Sequence, residues 1–405
     1  MANTFKFGNG NWAVKDGYAL AYNDENNNFK PLPFDFTRAS SATRVNKQGL
    51  IETVGSGKPR IDFTDNTSGH LLLEPSRMNK LVRSNEFNTT WTLGSALTLT
   101  SGQTSTLTGN SDSWLLSSNG TSGFSALTQA VSISGSHTYS IFAKKGTNDL
   151  ISLRSLSGAD ARAEFNLNTG VLNSTSNTSS TEIKSYGNGW YRISMTFSAS
   201  NSFVYVYPNS IGVADAGNIY IQNAQIEAAS YATSYIPTEG SSATRIAETG
   251  IDCLLPNETI INNSTATVYL EFEALVNDLS NRWISFEELG VPTDNMFEIR
   301  LSAGSNLLQI VTRSSGGGQD VVMSETLTDI TANNKIAVNY NGLNWKLAVN
   351  GTIADTETAA RLFNDNIEKI KFSRNTNTNH FYGNVKDLKV YNTALTDTEL
   401  QNLTS

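Results

Sequence analysis

A two-residue rhythm of apolar and polar side chains constrains this chain more than any other feature. It recurs in Tyr139-Ser-Ile-Phe-Ala-Lys144, Trp190-Tyr-Arg-Ile-Ser-Met-Thr-Phe197 and Phe203-Val-Tyr-Val-Tyr207, segments of strand length rich in aromatic and β-branched residues. In the second of these, Tyr191, Ile193, Met195 and Phe197 share one buried face, and Trp190, Arg192, Ser194 and Thr196 share the other. Gly, Asn and Ser clusters interrupt such segments about every ten residues, the spacing of a sandwich or jelly roll. The expected fold is all-β, with two β-sandwich (jelly-roll) domains after an irregular N-terminal region.

Composition narrows the function. Among 405 residues, 29 Lys and Arg face 37 Asp and Glu for a net charge of −8, and Ser, Thr and Asn make up about a third of the chain. An acidic pI near 5.1 without a basic run argues against nucleic acid as a partner. No apolar stretch approaches the roughly 18 residues of a membrane span, so no membrane insertion is expected. The start, Met1-Ala-Asn-Thr-Phe-Lys-Phe-Gly8, has neither a basic nor an apolar leader segment, and synthesis in a cytosol follows as an expectation. The single cysteine, Cys253, excludes an intrachain disulfide and reads as a buried apolar filler. Three histidines, His70, His137 and His380, give no histidine-rich metal centre.

Four stretches separate. Residues 1–85 hold four of the eight prolines and read as an attachment or wrapping region, and residues 86–238 form a first sandwich resembling a carbohydrate-binding module. Residues 239–261 form a connector, and residues 262–405 a second sandwich, with residues 250–405 expected to fold alone. Ser40-Ser-Ala-Thr-Arg-Val45 is echoed by Ser241-Ser-Ala-Thr-Arg-Ile246. The echo is either chance or a pair of equivalent grooves in which Arg44 and Arg245 make the same bonds. In the second sandwich, Asn341-Gly342 and Asn350-Gly351 are hairpin signals, because an Asn-Gly turn takes positive φ at both positions. Thr396-Asp-Thr-Glu399 is a capping box opening the one clear helix, with Leu395 and Leu400 as its hydrophobic staple.

Three phrases carry a family resemblance. Phe36-Thr-Arg-Ala-Ser-Ser-Ala-Thr-Arg-Val-Asn-Lys-Gln-Gly-Leu-Ile-Glu52, Pro59-Arg-Ile-Asp-Phe63 and Leu71-Leu-Leu-Glu-Pro-Ser-Arg-Met-Asn79 resemble the N-terminal signature of bacteriophage tail-fibre and virion-surface proteins. Ile221 to Thr238 looks like the closing strand and exit of the sandwich that follows in that family. Tyr382 to Leu400, with the Trp345–Gly351 hairpin, is similar to the laminin-G-like or concanavalin A-like lectin/glucanase fold. The resemblance implies a virion-surface protein made in the bacterial host, assembled with other virion proteins as a homotrimer and meeting host surface glycans.

Catalysis is disfavoured by the residues. Glu271 and Glu273 share one face of Val268-Tyr-Leu-Glu-Phe-Glu-Ala274, about 7 Å apart along the strand. Glucanases of the lectin-like fold carry Glu-x-Asp-x-x-Glu or a close variant, from which this strand departs. Glu287-Glu288 reads as a surface, salt-bridging pair, and Gly316-Gly317-Gly318 as a hairpin tip. No histidine or tyrosine is placed by a motif as a lyase base. Calcium is compatible with either sandwich through Asp, Asn and backbone oxygens, but no loop-type Asp-x-Asp spacing calls for it, and no cofactor is expected. Sugar binding needs aromatic platforms and planar amides, and the candidates in the second sandwich are Trp283, Trp345, Asn375, Asn377, Asn379 and His380. The expected function is attachment to host glycans without catalysis. A purely structural head-fibre or capsid decoration role and a glycan hydrolase or lyase stand as alternatives.

Overall fold

The computed structural model describes residues 5–15, 18–23, 28–121, 125–157, 159–254, 261–289, 296–302, 306–313, 318–363 and 366–405. The fold is almost wholly antiparallel sheet, as the alternation requires, and the described residues include one helix, Asp397–Thr404. The Gly316-Gly317 tip lies outside the described residues. Contacts divide the chain into two compact units, and not at the sequence boundaries above. A terminal unit joins Met1–Ala39, Val54–Pro75 and Ala247–Ser405, and a central unit joins Ser40–Thr53 and Ser76–Ile246. Residues 1–85 are therefore shared between the units, and the 239–261 stretch contributes strands Ala243–Arg245 and Thr249–Leu254.

In the terminal unit, two antiparallel runs face each other. One passes from Phe5–Gly8 through Gly383–Tyr391, Thr265–Ala274, Asn334–Asn341 and Asn344–Val349 to Thr352–Thr358. The other passes from Asn28–Thr37 through Thr249–Leu254, Lys369–Lys371, Arg282–Glu287, Met296–Ser302 and Leu307–Arg313 to Gln319–Thr326. Val268, Leu270 and Phe272 of the first run and Ile284, Phe286 and Ile299 of the second lie in one buried core. Cys253 is buried in the same core, where burial pushes its thiol well above the ordinary range. The early segment is not irregular here: Phe5, Phe7, Leu71 and Leu73 supply core residues, and their strands pair with successive halves of the Gly383–Tyr391 edge that faces away from Thr265–Ala274. An open sheet edge presents unpaired backbone groups, and these strands satisfy them.

The signature phrases also build a buried ion-pair network. Arg38 Nη1 donates to Glu248 Oε1 at 2.9 Å, and Arg60 reaches both Glu248 and Glu74 at 2.7 Å. The Glu248 carboxylate further accepts the Glu74 backbone N–H at 3.0 Å. The C-terminal helix carries the expected capping box, and Leu395 and Leu400 pack with Tyr269 and Tyr391 on the outer side of the first run. The two hairpin turns differ. Asn350 and Gly351 both take positive φ (44° and 85°), as an Asn-Gly turn requires, whereas at the other turn Asn341 ends its strand and only Gly342 is left-handed (59°). The loop there is Gly342-Leu343, the pattern of a turn with glycine at its first central position.

The central unit is organised by two long strands, Leu127–Lys145 and Trp190–Tyr207, paired along nearly their whole length. A register shift between Val131 and Ser134 bends the pair, as a β-bulge does. One end is flanked by Ala216–Glu227 and Ser180–Ser185, the other by Thr92–Leu93 and Leu150–Ser157. Both ends feed one core, with Tyr139, Ile193 and Met195 from the first and Leu127, Leu153 and Val206 from the second. The face carrying Trp190 and Arg192 is covered as well: Trp190 packs with Phe142 and Tyr235, and Arg192 donates to Thr233 O at 2.6 Å and Ser140 Oγ at 3.0 Å. The echoed hexapeptides do not make equivalent bonds. Arg44, on the hairpin of Ala42–Val45 with Ile51–Val54, pairs with Glu52. Arg245 is buried and donates to Thr233 and Ser234.

Candidate functional site: an indole between guanidiniums

The alternation that buries Ile284 and Phe286 turns Trp283 to the outer side of its sheet, where it remains partly exposed. Register then decides its surroundings. Trp283 is paired with Arg300 on the neighbouring strand, and its backbone N–H donates to Asn379 O at 2.9 Å. The guanidinium carbons of Arg300 and Arg374 lie 4.2 and 4.7 Å from the indole centroid. Contacts of this length are within the range of cation–π attraction. The two arginines are not equivalent: Arg300 is held by the buried carboxylate of Glu298, whereas Arg374 has no carboxylate partner among the described residues.

The segment from Ser373 to His380 folds over this face. Ser285 Oγ donates to Ser373 O at 2.9 Å, Lys371 Nζ to Asn375 O at 3.1 Å, and the Arg374 N–H to Thr378 O at 2.8 Å. Asn377 and Asn379 adopt left-handed φ of 57° and 50°, a conformation asparagine tolerates better than most residues. Asn377 is thereby left exposed at the tip, while Asn375 turns its amide toward Met296 Sδ, 3.9 Å away. His380 lies beside Tyr382, ring centroids 5.8 Å apart. Burial, and then the Lys371 cation, hold its imidazole below the ordinary value, so it is neutral near pH 7.

Five of the six sequence candidates, Trp283, Asn375, Asn377, Asn379 and His380, thus belong to one surface. The sixth does not. Trp345 is only 4% exposed, stacked on Tyr340 at 4.5 Å and met edge-on by Phe363 at 5.6 Å. It points inward with Leu347 and Val349, so it packs the core and cannot serve as a sugar platform. Arg300, Arg374 and Tyr382 join the surface unforeseen.

The acidic candidates are committed elsewhere. Glu271 accepts the Tyr269 hydroxyl at 3.1 Å and Asn333 Nδ2 at 2.9 Å, and Glu273 is held by Lys386 and Asn384. Glu287 is not a surface residue: it is 2% exposed on a central strand, accepts the Ser285 hydroxyl, and is pushed above the usual carboxylate range by burial. Among the described residues no three His, Cys, Asp or Glu side chains converge to hold a metal ion.

Residues 248–401 match the family described as the Concanavalin A-like lectin/glucanases superfamily. The comparison with curated proteins gave no match. Among solved structures, the CBM40 of the Ruminococcus gnavus IT-sialidase is similar at 15% identity and a TM-score of 0.31, over 35% of this chain and 84% of that one. The heptameric SAP-like pentraxin of Limulus polyphemus aligns at 11% identity and 0.31, over 36% and 71%. The NanB sialidase of Streptococcus pneumoniae aligns at 16% identity and 0.30, over 37% and 25%.

Proposed function

We propose that the protein is a non-catalytic virion-surface component that attaches a bacteriophage to host surface glycans through the Trp283 face of its concanavalin A-like domain. The observation that carries the glycan reading is the partly exposed indole flanked by two guanidiniums, one of them without a carboxylate partner among the described residues, beside an amide-rich loop. An indole offers the apolar face of a sugar ring a flat partner, and a free guanidinium can hold a carboxylate in a bidentate pair. The surface therefore suits a glycan bearing an acidic group. The virion assignment rests on the wording shared with phage tail-fibre and surface proteins, and assembly as a homotrimer with other virion proteins goes with it. That wording has a physical role in this chain, since its Arg38, Arg60 and Glu74 build the ion-pair network with Glu248. A decoration role without adhesion is the competing outcome.

The test is adhesion of the full-length protein to host cells and to immobilised acidic oligosaccharides, comparing wild type with Trp283→Ala and Arg374→Gln. Each variant is expected to weaken adhesion about tenfold, which is about 1.4 kcal/mol. Adhesion should also weaken with salt for the wild type more than for Arg374→Gln. Variants that adhere as wild type does, or a wild type that adheres to nothing, would remove the glycan reading. Release of reducing ends would overturn the absence of catalysis.

A further inference from the structure

The central unit holds a cleft of about 520 Å³, a size typical of small-ligand sites. Its lining comes from the segment at Tyr235–Glu239, the Ile51–Thr53 strand of the first hairpin, the loop at Ser84–Glu86, the loop at Thr108–Asp112, and Asn223. These segments are fixed by their own bonds. Asn223 sits at a register irregularity with φ of 54°, and its N–H donates to Asn85 Oδ1 at 3.1 Å. Asn85 Nδ2 in turn donates to Asp112 O at 2.9 Å, and Thr108 Oγ1 donates to Asp112 Oδ1 at 2.7 Å. Ser84 Oγ accepts the Thr238 N–H at 2.8 Å and lies 2.6 Å from the Tyr235 hydroxyl.

The chemistry of the lining is one-sided. It includes Glu52, Glu86, Asp112 and Glu239, and among the described residues no lysine or arginine lines it. Glu52 is held by Arg44 and Asn46, and Glu86 by Arg83. The carboxylate of Glu239, whose backbone bridges to Arg83, and the side-chain amide of Asn110 are exposed and have no partner among the described residues. Thr238, only 3% exposed, lines the cleft with a hydroxyl that has no hydrogen-bond partner among the described residues. A buried polar atom without a partner is costly, and a ligand that supplies one removes the cost. Carboxylates accept hydrogen bonds and do not donate them, so the cleft calls for a ligand rich in donors. Ile51 and Pro237 add apolar surface of the kind a sugar ring covers.

We propose that this cleft is a second saccharide site, built for neutral or amine-bearing sugars and closed to acidic ones. Vicinal hydroxyls of such a sugar donate to Glu239 and Asp112, while Asn110 and the Thr238 hydroxyl supply the reciprocal bonds. An acidic sugar meets like charge on several sides. The site is separate in sequence and in charge from the Trp283 surface and stands or falls independently of it.

The experiment uses the full-length protein on an array of neutral glucan and galactan oligomers, glucosamine oligomers and uronate oligomers. The double variant Asn110→Ala, Glu239→Lys changes two exposed side chains and should leave the fold intact, as circular dichroism will check. It is expected to lose about tenfold in retention of neutral or glucosamine oligomers, or about 1.4 kcal/mol, while retaining uronate oligomers as wild type does. Trp283→Ala should show the reverse pattern. A wild type that retains no neutral or amine-bearing oligomer overturns the proposal, as does a double variant that retains them undiminished. Retention abolished by a chelator would show a metal-bridged site and overturn direct readout by the side chains.

Discussion

The terminal and central units are both antiparallel sandwiches, yet they offer opposite chemistry to a ligand. On the terminal unit an indole lies against two guanidiniums, with Lys371 and a neutral His380 nearby. In the central unit the cleft gathers carboxylates, amides and hydroxyls. Their interiors differ in the same spirit. The terminal unit buries a network of two arginines and two glutamates. The central unit buries Glu227 among neutral donors, with Thr233 N–H at 2.9 Å, Thr233 Oγ1 at 2.6 Å and Gln225 Nε2 at 2.6 Å. A common sandwich therefore settles little about function; the side chains on its outer faces and loops decide it.

The largest expected difference lies in autonomy. The main core of the central unit is drawn wholly from Leu81 to Ile226, whereas that of the terminal unit takes Phe5, Phe7, Phe36, Ile61, Leu71 and Leu73 from the start of the chain. A fragment of residues 76–246 should unfold cooperatively on its own. A fragment of residues 247–405 should not, because it leaves apolar core and two strand edges open. Heat-capacity traces of the two fragments check this, and a cooperative transition from residues 247–405 would show that the early strands are dispensable.

Next in size is the contrast between the buried acids. Glu248→Ala leaves Arg38 buried without its counter-charge and Arg60 with Glu74 alone, and breaking a buried pair in this way costs about 3–5 kcal/mol. Glu227→Gln keeps the volume and removes only the charge and one acceptor, for which about 1–3 kcal/mol is expected. Denaturant midpoints of the full chain with each variant measure both. Equal losses would mean that the ion pairs of the terminal unit carry no special burden.

Much of this was open to reading in the sequence, and the reason is periodicity. Ile193, Met195 and Phe197 alternate with polar neighbours and are buried together, and the Thr396–Glu399 box caps the one described helix. Periodicity gives alternate faces but not which face is inside. Trp345 and Trp283 both stand in alternating strands, yet the first packs on Tyr340 in the core and the second leaves it. Strand pairing is likewise invisible in a single chain, so Arg300 could not be placed beside Trp283 until the register was known. The same holds for the early strands, whose partners lie more than three hundred residues onward, and for Glu287, whose burial depends on neighbouring strands. The central cleft draws its lining from segments scattered between Thr43 and Glu239, and no local pattern marks it.

The smallest expected effect is on acid sensitivity, and it sharpens the comparison further. Each unit holds one histidine whose imidazole is kept below its ordinary value: His380 by burial and then Lys371, and His137 by burial and then Lys80, against the Gly135 carbonyl. A folded-state value below the unfolded one means that the unfolded chain binds more protons. The stability each histidine contributes is therefore complete above about pH 6.5 and falls away as the pH drops through the folded value. The terminal unit also contains Glu287 and Asp387, both raised chiefly by burial. Their sign is opposite: the contribution of a raised carboxyl is present at low pH and lost as the pH rises through its folded value. As the pH falls from 7, Glu287 and Asp387 of the terminal unit thus act against the loss at His380, whereas in the central unit the lowered carboxyls of Glu52 and Asp160 act in the same direction as His137. Hydrogen exchange should show the Leu127–Lys145 amides losing protection over that range more than the Thr265–Ala274 amides do. His137→Asn should flatten the difference. If the terminal unit proves the more acid-sensitive, or if His137→Asn leaves the profile unchanged, the opposed titrations do not govern it.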